Sequence, residues 1–204
     1  MSQHWNEIHA TARAQDLSWF EPEPTTSLEL FDQLGVSPHE AIVDVGAGRS
    51  LLVERLVARG FDDVTILDLS ASALNATKSR PGLENVVALE AEVTTWEPKR
   101  RFDVWHDRAV LHFIEPARSS LYGERLRTAL SPGGKVIIGV FSPEGPDSCS
   151  GVSVTRYDAT DLARLLGEGF DIVTQLRRSH VTPWGVDQSF QWIAAVRNAR
   201  PVAS

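Results

Sequence analysis

Four acids between positions 44 and 107 sit where their spacing suggests a shared chemistry. Asp44 lies in the apolar run Ile42-Val43-Asp44-Val45, which leads into Gly46-Ala47-Gly48-Arg49-Ser50. Asp68 closes Val64-Thr65-Ile66-Leu67, Glu92 follows Val86–Glu90, and Asp107 follows Phe102–His106. Short apolar runs of this kind read as buried strands. In an open parallel sheet, ligands bind in the crevice outside the carboxyl ends of the strands, so the four acids should lie along one rim. Gly46 and Gly48, with Ala47 between them, permit a tight turn and a close backbone approach to a ligand. The helix behind them offers unpaired N–H groups. Four carboxylates would repel a phosphate but suit a ligand with hydroxyls, amines and a cation. Asp68, with Leu69 beside it, is placed to accept hydrogen bonds from both hydroxyls of a ribose. Glu92 could accept from an adenine amine, or the Val93 N–H could serve that end. Asp44 and Asp107 would stand near an ammonium group or its water. Each acid has a plainer reading as a helix cap or a solvated loop residue.

The elements that would hold these residues alternate along the chain. Strands are expected over 41–45, 64–68, 86–90, 102–106 and 135–141. Helices are expected over 25–34, 50–59, from Ser70 to Pro81-Gly82, over 118–130 and over 157–166, with Ser70 as an N-cap. Residues 170–182 and 187–197 read as two long strands joined across Pro183-Trp184-Gly185. Such alternation implies a parallel sheet with right-handed crossovers, and the final hairpin adds an antiparallel strand at the far side. Ahead of the first strand, Trp5, Trp19 and Phe20 form an aromatic N-terminal segment, broken by Glu21-Pro22-Glu23-Pro24. This segment reads as a lid packed on the domain edge or as a roof over the ligand site.

The 204 residues fit one domain with a full-sized core. A net charge of −7 argues against a nucleic-acid footprint. The single cysteine, Cys149, excludes an internal disulfide and any cysteine-built metal cluster. No apolar run approaches a membrane span and the start lacks a signal-peptide pattern, so a soluble cytoplasmic protein without a metal is expected.

The pattern Ile42–Gly48, Asp68, Glu92, Asp107 and Ser131-Pro132-Gly133-Gly134-Lys135 resembles the class I S-adenosylmethionine-dependent methyltransferases over residues 38–197. That resemblance implies an α/β, Rossmann-like, doubly wound seven-stranded sheet, mostly parallel with a C-terminal antiparallel hairpin strand. The whole chain, 1–204, reads as a single domain, in which 1–35 form N-terminal lid or helices and 38–197 the core. The resemblance also implies S-adenosyl-L-methionine as cofactor, held by Asp44, Gly46, Ala47, Gly48, Asp68, Leu69, Glu92, Val93 and Asp107. The chain departs from the family at Ser50, where a third glycine is usual, and at Arg49, where a hydroxyl-bearing residue is usual. A serine N–H can still donate to the ligand, so a slightly altered turn is expected. A narrower likeness, carried by His4-Trp5-Asn6-Glu7, Ser18-Trp19-Phe20 and Trp105 to Phe113, is to a bacterial subgroup of small methyltransferases. That subgroup is similar to the lysine methyltransferases acting on elongation factor 1A and citrate synthase, and more distantly to thiopurine methyltransferase. In the lysine enzymes Asp-Lys-Gly stands where this chain has Asp107-Arg108-Ala109.

A methyl on a sulfonium is already activated, so transfer needs alignment and exclusion of water. A general base matters only for an acceptor that arrives protonated; His112, and less so His106, are candidates. Arg108 could bind an anionic substrate bidentately or form an ion pair with Asp44 or another rim acid. Trp19, Phe20 and Trp184 could wall the substrate, and the Pro/Gly/Ser-rich loop 141–157 with Cys149 could line it. The acceptor is a small molecule or a protein lysine. The alternatives are an NAD(P)-dependent oxidoreductase, against which Ser50 and the rim of acids argue, and a non-catalytic S-adenosylmethionine-binding protein.

Overall fold

A computed structural model describes residues 2–199. Five strands form the parallel part of the sheet: β1 (Ile42–Val45), β2 (Val64–Asp68), β3 (Val87–Glu90), β4 (Phe102–Arg108) and β5 (Leu130–Phe141). A short hairpin of β6 (Ser148–Cys149) and β7 (Val152–Ser153) follows, then the long β8 (Phe170–Val181) and β9 (Asp187–Arg197). The seven-stranded sheet has the order β3-β2-β1-β4-β5-β9-β8, with β9 inserted antiparallel between β5 and β8. The expected doubly wound, mostly parallel sheet is therefore present.

Residue alternation along the strands makes the two cores. Ile42, Ile66, Val104 and Ile137 point to the face covered by α2 (Thr25–Gln33), α3 (Leu52–Ala58) and α4 (Ala71–Lys78). Val43, Leu67, Trp105 and Ile138 point to the face covered by α5 (Ser119–Ala129) and α6 (Ala159–Leu166). Ser70 caps α4 as expected, its Oγ accepting the Ala73 N–H at 3.2 Å. The helix α1 (Ser2–Thr11) has no apolar stripe and was not expected from periodicity. Its packing comes from the two aromatic rings Trp5 and His9, one turn apart.

Strand β5 begins earlier than expected. Leu130 pairs with Phe102, and the register resumes at Val104 and Lys135. Residues 131–134 bulge out between the two pairings, with Gly133 at φ +78°. The Ser-Pro-Gly-Gly segment thus kinks a strand rather than simply separating a helix from one.

Two buried polar networks tie helices to the sheet. His106 Nδ1 lies 2.7 Å from Asp44 Oδ1 and its Nε2 lies 2.9 Å from Ser27 Oγ, linking β1, β4 and α2. On the other face, the Tyr122 hydroxyl donates to Asp107 Oδ2 at 2.6 Å and accepts from Trp105 Nε1 at 3.0 Å. Tyr122 is fully buried. Tyr122→Phe leaves a buried indole N–H and a buried carboxylate each short of a partner, an expected cost of about 1–3 kcal/mol. Urea unfolding midpoints of the two proteins measure it; an unchanged midpoint would show that the network carries no stability.

Candidate active site

A cavity of about 470 Å³ lies outside the carboxyl ends of β1 to β4. Val45, Gly46 and Gly48 supply one wall, and Leu67, Asp68 and Leu69 the next. Ala91, Glu92 and Val93 close one end; Arg108, Ala109, Val110 and His112 lead to the other, where Phe141, Cys149 and Phe190 stand. This is where an open α/β sheet places its ligands.

The glycine turn is held by backbone and carboxylate. Gly46 has φ +66° and donates to the Leu67 carbonyl at 2.6 Å. Gly48 has φ +53° and donates to Asp68 Oδ2 at 2.8 Å, while Asp68 Oδ1 accepts the Ser70 N–H at 2.8 Å. A Cβ at Gly48 would stand 3.5 Å from His9 Cε1 and 3.8 Å from Asp68 Oδ2, filling the gap above the turn. Two accepted bonds leave the Asp68 carboxylate further lone pairs for a ligand. The expected use of the Ser50 N–H is corrected: it donates to the Ala47 carbonyl at 3.0 Å, and Ser50 Oγ accepts the Leu52 N–H at 3.1 Å, so Ser50 closes the turn ahead of the helix instead.

The expectation of four acids on one rim is also corrected. Asp68 and Glu92 line the cavity; Asp44 and Asp107 do not. Asp44 points to the α2 face and is taken up by His106. Asp107 points to the α5 face, where it accepts from Tyr122 and from the N–H groups of Val110 at 2.8 Å and Leu111 at 3.1 Å. It therefore shapes the segment after β4 from beneath. Glu92 accepts from Thr94 and pairs with Arg118 at 2.8 Å. Ala47 is buried behind the turn. Phe20 does not line the cavity, and Trp184, 60% exposed, lies in the turn between β8 and β9. That hairpin reaches the cavity through Phe190 instead, and its His180 Nε2 lies 2.7 Å from the Ser18 carbonyl oxygen.

The roof is the N-terminal segment. Trp5 stands edge-on to Phe113 at 4.8 Å and to Trp19 at 5.9 Å, and Trp5, His9 and Trp19 all line the cavity. Arg49 explains its own departure from the usual hydroxyl: its guanidinium donates to the carbonyls of His9 at 3.2 Å and Ala12 at 2.8 Å, fastening the carboxyl end of α1. Asn6 accepts from Ser70 Oγ and the Ser72 N–H, and His4 Nε2 lies 3.1 Å from the Ser150 carbonyl oxygen, tying α1 to α4 and to the β6–β7 flap. His9 was missed in the sequence; its spacing of four from Trp5 on one helix face was the available signal.

At the far end, Arg108 donates to the Trp19 carbonyl at 2.9 Å and pairs with Glu21, not with Asp44, at 3.0 Å. Glu21 is also 3.4 Å from His180. Its role was not legible, because the acid reaches Arg108 from 87 positions away along the chain. Ala109 holds a left-handed φ of +75° where the lysine enzymes of the resemblance carry glycine. Such strain is characteristic of functional sites.

Four of the groups that burial perturbs bear on stability between pH 5 and 6. Burial pushes the carboxyls of Asp68 and Asp107 up to about 6, and lowers His9 to about 4 and His112 to about 3, with Arg49 and Arg108 respectively adding to the lowering. Between pH 5 and 6 the folded protein holds a proton on each aspartate that the unfolded chain has lost. The unfolded chain holds a proton on each histidine that the folded protein has lost. The aspartates make stability fall as pH rises and the histidines make it rise, so the four cancel. Asp107→Asn removes one side of the balance, and its stability is expected to rise by about 1 kcal/mol per pH unit in that window. Denaturation at pH 5.0 and 6.0 checks this; a flat profile in the variant would contradict it.

Residues 42–134 match a family described as a methyltransferase domain. The chain is 27% identical over 167 residues to Probable thiol methyltransferase 2 of Arabidopsis thaliana, covering 76% of this chain and 70% of the relative. It is 26% identical to EEF1A lysine methyltransferase 2 of Danio rerio, covering 69% of this chain and 59% of that one. Among solved structures, it superposes on 1,6-didemethyltoxoflavin-N1-methyltransferase of Burkholderia thailandensis with a TM-score of 0.71 at 23% identity, covering 94% of this chain and 81% of that one.

Proposed function

We propose that this chain, a class I S-adenosylmethionine-dependent methyltransferase, acts on a small molecule enclosed in its cavity rather than on a lysine of another protein. The observation that carries this reading is the roof. The cavity runs from Asp68 to Arg108 beneath Trp5, His9 and Trp19, and its walls are mostly apolar. Enclosed, apolar sites with a few placed polar groups suit small ligands.

The cofactor fits the residues present. At Gly48 the turn leaves room that a Cβ would fill. Asp68 offers lone pairs to a pair of hydroxyls, Leu69 flanks it, and Val93 with Glu92 borders the opposite wall. When bound, S-adenosyl-L-methionine supplies a methyl carbon activated by its sulfonium. The chain's own contribution is to align the acceptor and exclude water. Trp19, Phe113, Phe141 and Phe190 line the part of the cavity that would receive the acceptor. With one cysteine in the chain, a reducing, cytoplasmic setting suits it. Among the described residues no helix is long and apolar enough to cross a membrane.

The test is methyl transfer from labelled donor into a cell extract, separated into small-molecule and protein fractions. Label in the small-molecule fraction is expected. Label confined to protein would favour a lysine acceptor, the reading that the zebrafish relative's name supports.

A further inference from the structure

His112 was expected as a base, yet its geometry gives it the opposite capability. The ring stacks on Phe141 at 4.4 Å, and its Nδ1 accepts the buried Phe141 N–H at 3.2 Å. A nitrogen that accepts a hydrogen bond carries no proton, so the neutral ring carries its proton on Nε2. Burial keeps the ring neutral at ordinary pH. Nε2 is buried and has no partner within the protein. It is a donor, and its ring has no free lone pair with which to remove a proton.

Arg108 stands at the same end of the cavity with the same character. One nitrogen serves the Trp19 carbonyl, while Nε is buried without a partner, and Nη2 approaches Glu21 without the alignment of a hydrogen bond. The guanidinium lies 5.1 Å over the Phe190 ring, which fixes its plane. Two further ionisable groups beside Arg108 are spoken for. Cys149 is held as a thiol by burial, and Glu21 is engaged by Arg108 and His180. Glu115 also lines the cavity but is solvent-exposed. Buried donors without partners are costly, by about 1–3 kcal/mol each, and a ligand that accepts from them recovers that cost.

We propose that Arg108 and His112 form a two-donor clamp for an anionic acceptor atom, so that this enzyme methylates nucleophiles of the thiolate or phenolate class that enter already deprotonated. The inference rests on the small-molecule reading above. The anion's lone pair forms the new bond to the methyl carbon as the electrons of the carbon–sulfonium bond return to sulfur, so no proton leaves and no base is needed. An alkylammonium at this end would meet two donors and a guanidinium whose carboxylate partner, Glu21, is already engaged, and is disfavoured there.

The probe is 4-nitrophenol, whose phenolate absorbs visibly and whose neutral form does not, titrated into the protein loaded with S-adenosylhomocysteine. The expected result is an increase in the probe's acidity on binding of about tenfold or more, one pKa unit. The shift should be lost in Arg108→Met and reduced in His112→Phe, which keeps the stacked ring. Binding of the probe as the neutral phenol, no binding of the probe, or saturable binding of benzylamine instead would each overturn the clamp. The wild-type titration alone decides this should the Arg108 variant fail to fold. Failure of the protein to take up S-adenosylhomocysteine, measured first by calorimetry, would instead overturn the methyltransferase reading itself.

Discussion

Gly46→Ala is expected to abolish donor binding and to lower stability by about 2–4 kcal/mol. A Cβ at this position would stand 1.8 Å from Val110 Cγ2, and the residue's φ of +66° disfavours any side chain. Val110 cannot readily yield, because its N–H is fixed to the buried Asp107 carboxylate and its β-branched side chain is stiff. The turn must therefore shift, and with it the Gly46 N–H bond to Leu67 and the position of Gly48 over Asp68. Calorimetric titration with S-adenosylmethionine and thermal unfolding measure the two effects. A variant that binds the donor with wild-type affinity would show that the turn does not shape the site. Gly48→Ala is the milder comparison, since its Cβ would meet nothing closer than 3.5 Å in the protein, so its left-handed φ of +53° and the bound ligand, not a clash, set its cost.

Asp68→Ala is expected to weaken donor binding by about 2–3 kcal/mol, roughly 30- to 150-fold. Among the described residues the carboxylate is the one buried acid that lines the cavity, and it also gathers the N–H groups of Gly48 and Ser70, so its loss removes ligand contacts and slackens the turn. A pH signature accompanies it. Burial raises this carboxyl to about 6 in the free protein. A ligand that donates hydrogen bonds prefers the ionised form. Wild-type affinity should thus be full above pH 6 and decline as pH falls through it, and Asp68→Asn should lose that dependence. An affinity that is independent of pH in both proteins would remove Asp68 from the site.

The strand and helix alternation and the glycine turn were legible because each is written locally, while the doubly wound arrangement of the sheet came from the resemblance. Apolar runs of strand length end in polar residues, and Ser70 or Gly60 marks a helix boundary within a few positions. The rim of acids was half legible. Asp44 and Asp107 lie close to strand ends, but the two-residue period of a strand decides which face a side chain takes. A partner on that face, His106 for one and Tyr122 for the other, claims it. Arg108 was expected to find an acid, and the acid proved to be Glu21, brought in by the folding of the N-terminal segment over the site. The roof itself was foreshadowed by its aromatic residues. The role of Arg49 was not, because a helix end needing carbonyl partners cannot be inferred before the helix is placed. The tautomer of His112 depends on one backbone N–H from β5, which no local pattern announces.

The account stands on a nucleoside cation occupying the space between the glycine turn and Asp68. Its most direct test is to titrate the protein separately with S-adenosylmethionine and with NAD in a calorimeter. Saturable binding of one S-adenosylmethionine per chain, with no heat from NAD, is the predicted result. Binding of NAD with no response to S-adenosylmethionine would contradict it.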